Sequence, residues 1–531
     1  MPGRVSRRHL LIGLSSMALL SAGCSSGQTA GTSTGAGTTA AGGSSGGGPA
    51  PAGKDTLTVV QAGDVPSLSP NIASQRAASR VSGEILEGAV KIKYVDGSPT
   101  LVPGLAESWS QTGPTTWEFK VRPNVTFTNG EKLTSKAFVD SLAQHRQDPA
   151  GKVSGVMKNI EIAAVDDMTF KVTTDSENLG SLPAQLTWLL IMPPEYRGKM
   201  TDAEFGNAPV GTGPYKLAKW DKGSAITLAA NETYWGAKPA IKNIVIKTVP
   251  DHATAVGLLQ TGAADVVTDV TPDLMERVRG ISTAELVTAP TDFALFLVLS
   301  TASGPTKDLK VRQAINYAID RQTILSKLYK DLADPLAGPI TPGQVGYQKD
   351  FKSYDYNPDK AKALLAEAGN PQVEIDLNYT IGSSVLDDKL GEVLQAQLQE
   401  VGFKVNMKGG PFAKLQPLWR DPTKSSGMYM MSFGPIYPDS SFLFKQAYFD
   451  KKAVYGTWGS DAKVSEYADK AVATVDPTER AKLFSDAQQA AMDQALWAPI
   501  LVLRQAVGVS KNLNWTPPAD TRFYFEEATW K

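Results

Sequence analysis

The chain has 531 residues, a formal charge of −1, 42% hydrophobic residues, one cysteine and three histidines. A near-neutral balance gives no basic surface for nucleic acid or for a polybasic membrane contact, and a lone cysteine excludes an intramolecular disulfide. His9, His145 and His252 are scattered with no Cys or His neighbours, so no metal cage of side chains is expected.

Arg4, Arg7 and Arg8 precede an apolar run at residues 10–20, which holds two serines and a glycine and is too short to span a bilayer. Ser21-Ala22-Gly23-Cys24 follows and resembles a bacterial lipobox. Cleavage before Cys24 would free its thiol for diacylglycerol transfer, so residues 1–23 read as a signal peptide and Cys24 as a lipidation site. Ser6-Arg7-Arg8-His9-Leu10-Leu11 also resembles a twin-arginine signal, which leaves the export route open. Losing the leader removes three arginines and no acid, which takes the formal charge from −1 to −4. Residues 25–54 are mostly Gly, Ser, Thr and Ala, with two prolines and one charge at Lys54. Such a segment cannot bury enough surface to offset its ordering entropy, and as a tether it would reach roughly 30 Å. The remaining length is ample for a sizeable core.

The first strand is expected at residues 57–62, closed by the loop Ser67-Leu68-Ser69-Pro70, and residues 84–90 begin a crossing into a second region. There, residues 104–142 read as strand, turn, strand, turn, helix. Trp117, Phe119 and Val121 alternate with Glu118, Lys120 and Arg122, the pattern of a strand with one buried face. Asn129-Gly130 supplies a tight turn, and Leu133, Ala137, Phe138 and Leu142 follow at helical spacing. The order GLAESW, WEFKVR, FTNG and helix resembles the signature of the dipeptide/oligopeptide-type solute-binding proteins of ABC importers, extracytoplasmic family 5. One departure is Lys136-Ala137, where that family usually has an acidic pair; the position reads as a solvated helix face.

Residues 209–235 carry a second resemblance: the GTGPY turn, a tryptophan strand and a closing N-x-x-Y-W. Gly211 and Gly213 are expected to permit a sharp re-entry turn. A phosphate loop is rejected, because no Lys-Ser/Thr follows and no helix opens. A strand at 244–246, a helix at 251–260 ended by Gly262, and a strand at 265–267 come next; Asp265 reads as a strand-edge cap rather than a catalytic acid. Val311, Ala314, Ile315, Ala318 and Ile319 repeat at helical spacing, and VRQAINYAIDRQTIL is again close to the family text. Asn357-Pro358 opens a helix that Gly369 stops. Alternating Val373, Ile375, Leu377 and Tyr379, a helix at 390–401 and a strand at 403–407 read as a parallel crossover of an α/β lobe.

The resemblance covers about residues 57–444 and implies a type II periplasmic-binding-protein-like α/β fold, with two lobes around a cleft plus an extra domain (the three-domain, cluster C type). By that analogy residues 55–86, 206–300 and 509–531 form lobe I, 87–205 domain II and 301–508 lobe III. It implies a monomeric, lipid-anchored, extracytoplasmic binding protein that delivers a small solute to an ABC permease, with short peptides first. An oligosaccharide, a metal chelate or a sensory role in the same cleft are the alternatives. No cofactor and no resident metal are expected. No nucleophile–base arrangement is visible, so an enzyme is not expected.

In this family the ligand loop follows a strand at 428–433, which places Phe433, Gly434, Tyr437 and Asp439 at the ligand. Asp439 is also expected to order its loop by accepting backbone N–H bonds. Trp419 and Arg420 just upstream, and Arg76 in the loop after Pro70, are further ligand-binding candidates. Residues 499–503, PILVL, replace tyrosines common in the family and suggest a less aromatic wall. The family's usual aspartate for a peptide ammonium falls on Ile436, so a free peptide N-terminus is not expected to be recognised in the usual way.

Overall fold

The computed structural model describes residues 54–531 except 72–75, 96–97, 148–151, 176–178, 370–371, 382–385, 412–413, 416, 419–420, 425–426, 435–436, 448–458 and 460. Cys24 and the expected tether therefore lie outside the described residues.

Strand β1 (Thr56–Gln61) buries Leu57, Val59 and Val60 completely, and the helix Arg76–Ile85 follows. Arg76 thus begins a helix rather than standing in a loop. β2 (Val90–Val95) and β3 (Ser98–Pro103) form a hairpin. β4 (Ala106–Gly113), β5 (Thr116–Val121), β6 (Ile160–Asp166) and β7 (Thr169–Thr174) make an antiparallel sheet in the order β4-β5-β7-β6. The expected turn is present, with Gly130 at φ 93°, and so is the helix, Ser135–His145. Trp117, Phe119 and Val121 all point inward, as their alternation requires. Phe170 stacks between Phe119 and Phe138, with ring centres 5.1 and 4.3 Å away.

The rest of the chain builds one large sheet around β1. Its other strands are β8 (Tyr215–Asp221), β9 (Ala225–Ala230), β10 (Asn243–Thr248), β11 (Val266–Val267), β12 (Ala284–Leu299) and β13 (Ala333–Pro335), then β14 (Val373–Thr380), β15 (Phe403–Gly410), β16 (Gly427–Phe433) and β17 (Trp497–Ser510). The eleven strands run β15-β14-β16-β12-β17-β11-β1-β10-β9-β8, with β13 on β17. β14 and β15 are parallel and joined by the helix Asp387–Glu400, as the strand-helix-strand pattern implies. Asp265 accepts from the Thr58 amide at 2.9 Å and from Lys54, which is the strand-edge role.

The two longest strands hold the sheet together. Residues 284–290 of β12 pair with 504–510 of β17, beside β11; residues 294–298 pair with 497–502, beside β16. Between Pro290 and Ala294 the register breaks. Pro290 has no N–H to give the ladder. Thr291 substitutes for it: its hydroxyl donates to the Leu503 carbonyl at 2.7 Å and accepts from the Phe293 amide at 3.1 Å. Backbone groups are thereby satisfied without a ladder, and the side chains of Asp292 and Phe293 are re-aimed, as bulges commonly do beside functional sites.

The GTGPY segment works differently from expectation. Neither Gly211 nor Gly213 has a positive φ. Both are required by close approach instead, since a Cβ on Gly211 would lie 2.0 Å from the Ile85 carbonyl oxygen and one on Gly213 2.4 Å from that of Glu84. The neighbouring polar residues then converge on Glu87. Thr212 (2.9 Å), Tyr234 (3.0 Å) and Trp235 (2.8 Å) all donate to its carboxylate, which fixes the end of the helix Arg76–Ile85.

Candidate functional site

Asp292 and Phe293, left out of the ladder by the register break, line a cleft of about 290 Å³. Arg76 and Ser79 face them from the helix Arg76–Ile85, Ile92 and Tyr94 from β2, and Asp520, Thr521 and Arg522 from the segment after β17. Trp188 adds a further aromatic wall, and Gly434, Tyr437 and Pro438 close the side beyond β16. Parts of the sheet on both sides of the break therefore contribute. The centre is a stack: a Cβ on Gly434 would lie 2.7 Å from the Phe293 ring, and the Arg76 guanidinium sits 4.9 Å from the centre of that ring. Gly434 is a glycine because an aromatic ring occupies the place of its side chain.

Charge is unevenly satisfied around this cleft. Arg80 grips Asp269 with two hydrogen bonds of 2.8 and 3.2 Å and donates to the Thr521 carbonyl at 2.9 Å. Burial opposes ionisation of Asp269, but Arg80 and Arg76 outweigh it and hold this carboxyl well below the usual range. Arg76 lies 3.6 Å from the same carboxylate, with 45% of its side chain exposed. Asp520 accepts from the Tyr524 hydroxyl at 2.7 Å and the Arg522 amide at 3.1 Å, and burial raises its pKa. Asp292 has no such support: its Oδ1 is closed off from solvent and has no hydrogen-bond partner. Burial, and then the charge of Asp520, push the Asp292 carboxyl up to about 8. Backbone strain gathers here too. Asp269, Thr521 and Tyr524 are three of the seven described non-glycine residues with left-handed φ, a conformation costly for a β-branched threonine.

Of the residues expected from sequence, Arg76, Gly434 and Tyr437 line the cleft. Phe433 points into the core, stacked 5.5 Å from Phe442. Asp439 is buried and held by both terminal nitrogens of Arg480, one at 2.7 Å, while its Oδ1 accepts from the Ser441 amide at 2.9 Å. That is the loop-ordering role. Trp419, Arg420 and Ile436 lie outside the described residues. Residues 499–503 are buried or nearly so within β17 and do not line the cleft, whose aromatic wall comes from Tyr94, Trp188, Phe293 and Tyr437. Sequence reasoning missed Tyr94, Trp188, Asp292, Phe293, Asp520 and Arg522. The one available signal was Pro290-Thr291-Asp292 interrupting an otherwise apolar strand.

A larger groove of about 650 Å³ adjoins this one and shares Ile92 and Tyr94, with Trp235, Trp515 and Phe523 in its walls. It has no residue from the β16 side of the break. Among the described residues no group of three or more His, Cys, Asp or Glu is placed to hold a metal ion, and no helix is long and apolar enough to cross a membrane.

A sequence model of the bacterial extracellular solute-binding proteins, family 5 (its middle region), matches residues 100–454. The chain belongs to this family. Family 5 proteins bind a solute on the extracytoplasmic side and deliver it to an ABC importer, so the chain is a transport binding protein and not an enzyme. It is 27% identical over 511 residues to the glutathione-binding protein GsiB of Escherichia coli, covering 90% of this chain and 94% of that one. The fold is similar to that of DppA from Helicobacter pylori in complex with peptide STSA: TM-score 0.74, 24% identity, 90% of this chain and 98% of that one. It is also similar to NikA from Brucella suis in complex with Fe(III)-EDTA: TM-score 0.78, 24% identity, 90% and 100%. These likenesses place the fold as type II periplasmic-binding-protein-like.

Proposed function

We propose that the solute is a short peptide or peptide-like molecule and that a carboxylate of it binds Arg76 in the cleft at the β12 break. The observation that carries this reading is the half-exposed Arg76 guanidinium, whose nearest carboxylate, Asp269, is already bound bidentately by Arg80. A planar fork with free donors favours a carboxylate ligand. The names of GsiB and of the DppA complex support peptides as the class. A metal chelate is the second reading, favoured by the NikA complex, because chelator carboxylates suit the same arginine. Calorimetry with di- and tripeptides, glutathione and Fe(III)-EDTA separates the two. Peptide binding that weakens at least tenfold in Arg76→Ala supports the first reading; binding of the chelate alone overturns it.

Lobe I would comprise residues 55–86 and 206–290 with the end of the chain from 504, and lobe III residues 294–502, with domain II at 87–205. The boundaries are drawn where the β12–β17 pairing breaks rather than at 300 and 509. Hinge closure about residues 290–294 would then bring Phe293 and Gly434 onto a ligand held at Arg76. Cys24 would carry the lipid anchor, since two acyl chains contribute about 0.8 kcal/mol per buried CH₂. Cys24→Ala is expected to accumulate as precursor or to leave the membrane fraction; a processed, membrane-bound variant contradicts the anchor.

A further inference from the structure

We propose that Asp292 is the counter-ion for a cationic group of the solute, an ammonium above all, bound in the cleft at the β12 break. The inference rests on the reading of that cleft as the solute site, and it adds the group that selects the solute's positive end.

Asp292 stands in the three-residue break where Thr291 has already replaced the missing ladder bonds, so the ladder needs nothing from its carboxyl. Neighbouring acids all have partners: Asp269 has Arg80, Asp520 has Tyr524 and the Arg522 amide, and Asp439 has Arg480. Asp292 Oδ1 alone among them is buried with none. Buried polar atoms are normally bonded, and one left over in a cleft marks a place for a group the protein lacks. Phe293, Tyr94 and Trp188 line the same cavity, and aromatic faces attract a cation.

The charges around Asp292 leave this role open. Arg76 faces it from the helix, Asp520 and Arg522 from the C-terminal segment, and the phenols of Tyr94 and Tyr437 from β2 and the loop after β16. On β17, Arg504 is paired opposite Pro290 but turned onto Asp334 at 3.0 Å. Among the described residues no arginine reaches the orphan oxygen. Without a ligand the carboxyl therefore holds its proton near neutral pH, since burial and Asp520 push it up to about 8. An incoming ammonium supplies both donors and charge: the carboxyl O–H breaks, its proton passes to the buffer, and N–H···O bonds replace it. At pH 7 binding should release roughly one proton, and affinity should rise about tenfold from pH 6 to 7 before levelling near 8.

Calorimetry at pH 7 tests this with trialanine, glutathione and N-acetyltrialanine, in buffers of low and high ionisation enthalpy, on the wild-type protein and Asp292→Asn. The free-amine peptides should release close to one proton on the wild-type protein. Asp292→Asn should bind them at least tenfold more weakly with no proton released. N-acetyltrialanine should bind both proteins equally and at least tenfold more weakly than trialanine binds the wild type. A melting temperature of Asp292→Asn at or above that of the wild type shows that the fold is intact. Equal binding of trialanine and its acetylated copy, or full affinity with proton release in Asp292→Asn, overturns the assignment while the peptide reading stands. If no peptide binds in either form, the peptide reading falls and takes the assignment with it.

Discussion

Two aspartates close to the cleft are put to opposite uses. Asp439 is buried under the loop after β16, and both of its oxygens are occupied by Arg480, with the Ser441 amide as a further donor. Asp292, in the break of β12, is just as remote from bulk water at Oδ1, and that oxygen has no donor among the described residues. Residue type and a buried carboxylate oxygen are shared; the partner is what differs. A carboxylate completed by its own chain builds structure, whereas one left incomplete beside a cavity awaits something from outside.

Removing each acid should therefore have opposite consequences. Asp439→Ala strands a buried guanidinium and should destabilise the protein by about 3–5 kcal/mol, read from the denaturant midpoint. A loss below about 1 kcal/mol would contradict the structural role of the Asp439–Arg480 pair. Asp292→Asn should do the reverse. An aspartate whose folded pKa is raised holds a proton in the native state that the unfolded chain has lost, so its contribution is fully present below about pH 4 and vanishes as pH rises through about 8. The ligand-free wild type should accordingly weaken from pH 5 to 8, and Asp292→Asn should flatten that decline by on the order of 1–3 kcal/mol at pH 8. Parallel stability curves for the two proteins would show that Asp292 already has a partner.

Gly434 sharpens the same contrast from the opposite wall. Its missing Cβ leaves room for the Phe293 ring at 2.7 Å. Gly434→Ala would push that ring toward Arg76, at a stability cost of about 1 kcal/mol, and should weaken ligand binding about tenfold. Unchanged affinity would mean that the stack is only packing.

The scaffold was legible in the sequence wherever one local rule set the outcome. Alternation placed β5, Asn357 capped its helix by accepting from the Lys360 amide at 2.9 Å, and Gly369 ended that helix at φ 74°. Gly434 and Tyr437 were expected from the family resemblance and Arg76 from its place after Pro70, and all three line the cleft. What escaped was everything that depends on residues distant in sequence. Asp520 and Arg522 lie more than two hundred positions from Asp292, and nothing in their own segment marks them as cleft residues. Gly211 and Gly213 looked like turn glycines because the approaching Ile85 backbone cannot be read from their own segment. Asp439 and Asp292 could not be told apart, since Arg480 lies 41 residues from the one and Oδ1 of the other has no partner among the described residues.

Where the solute sits decides between the two cavities. The most direct measurement is a crystal structure of the protein with the free-amine peptide that binds it best in calorimetry. Density is expected between Arg76, Phe293 and Tyr437, with a ligand carboxylate on Arg76 and a ligand nitrogen within hydrogen-bond distance of Asp292 Oδ1. Density confined to the neighbouring groove of Trp235 and Trp515, with the cleft at the β12 break empty, would contradict it.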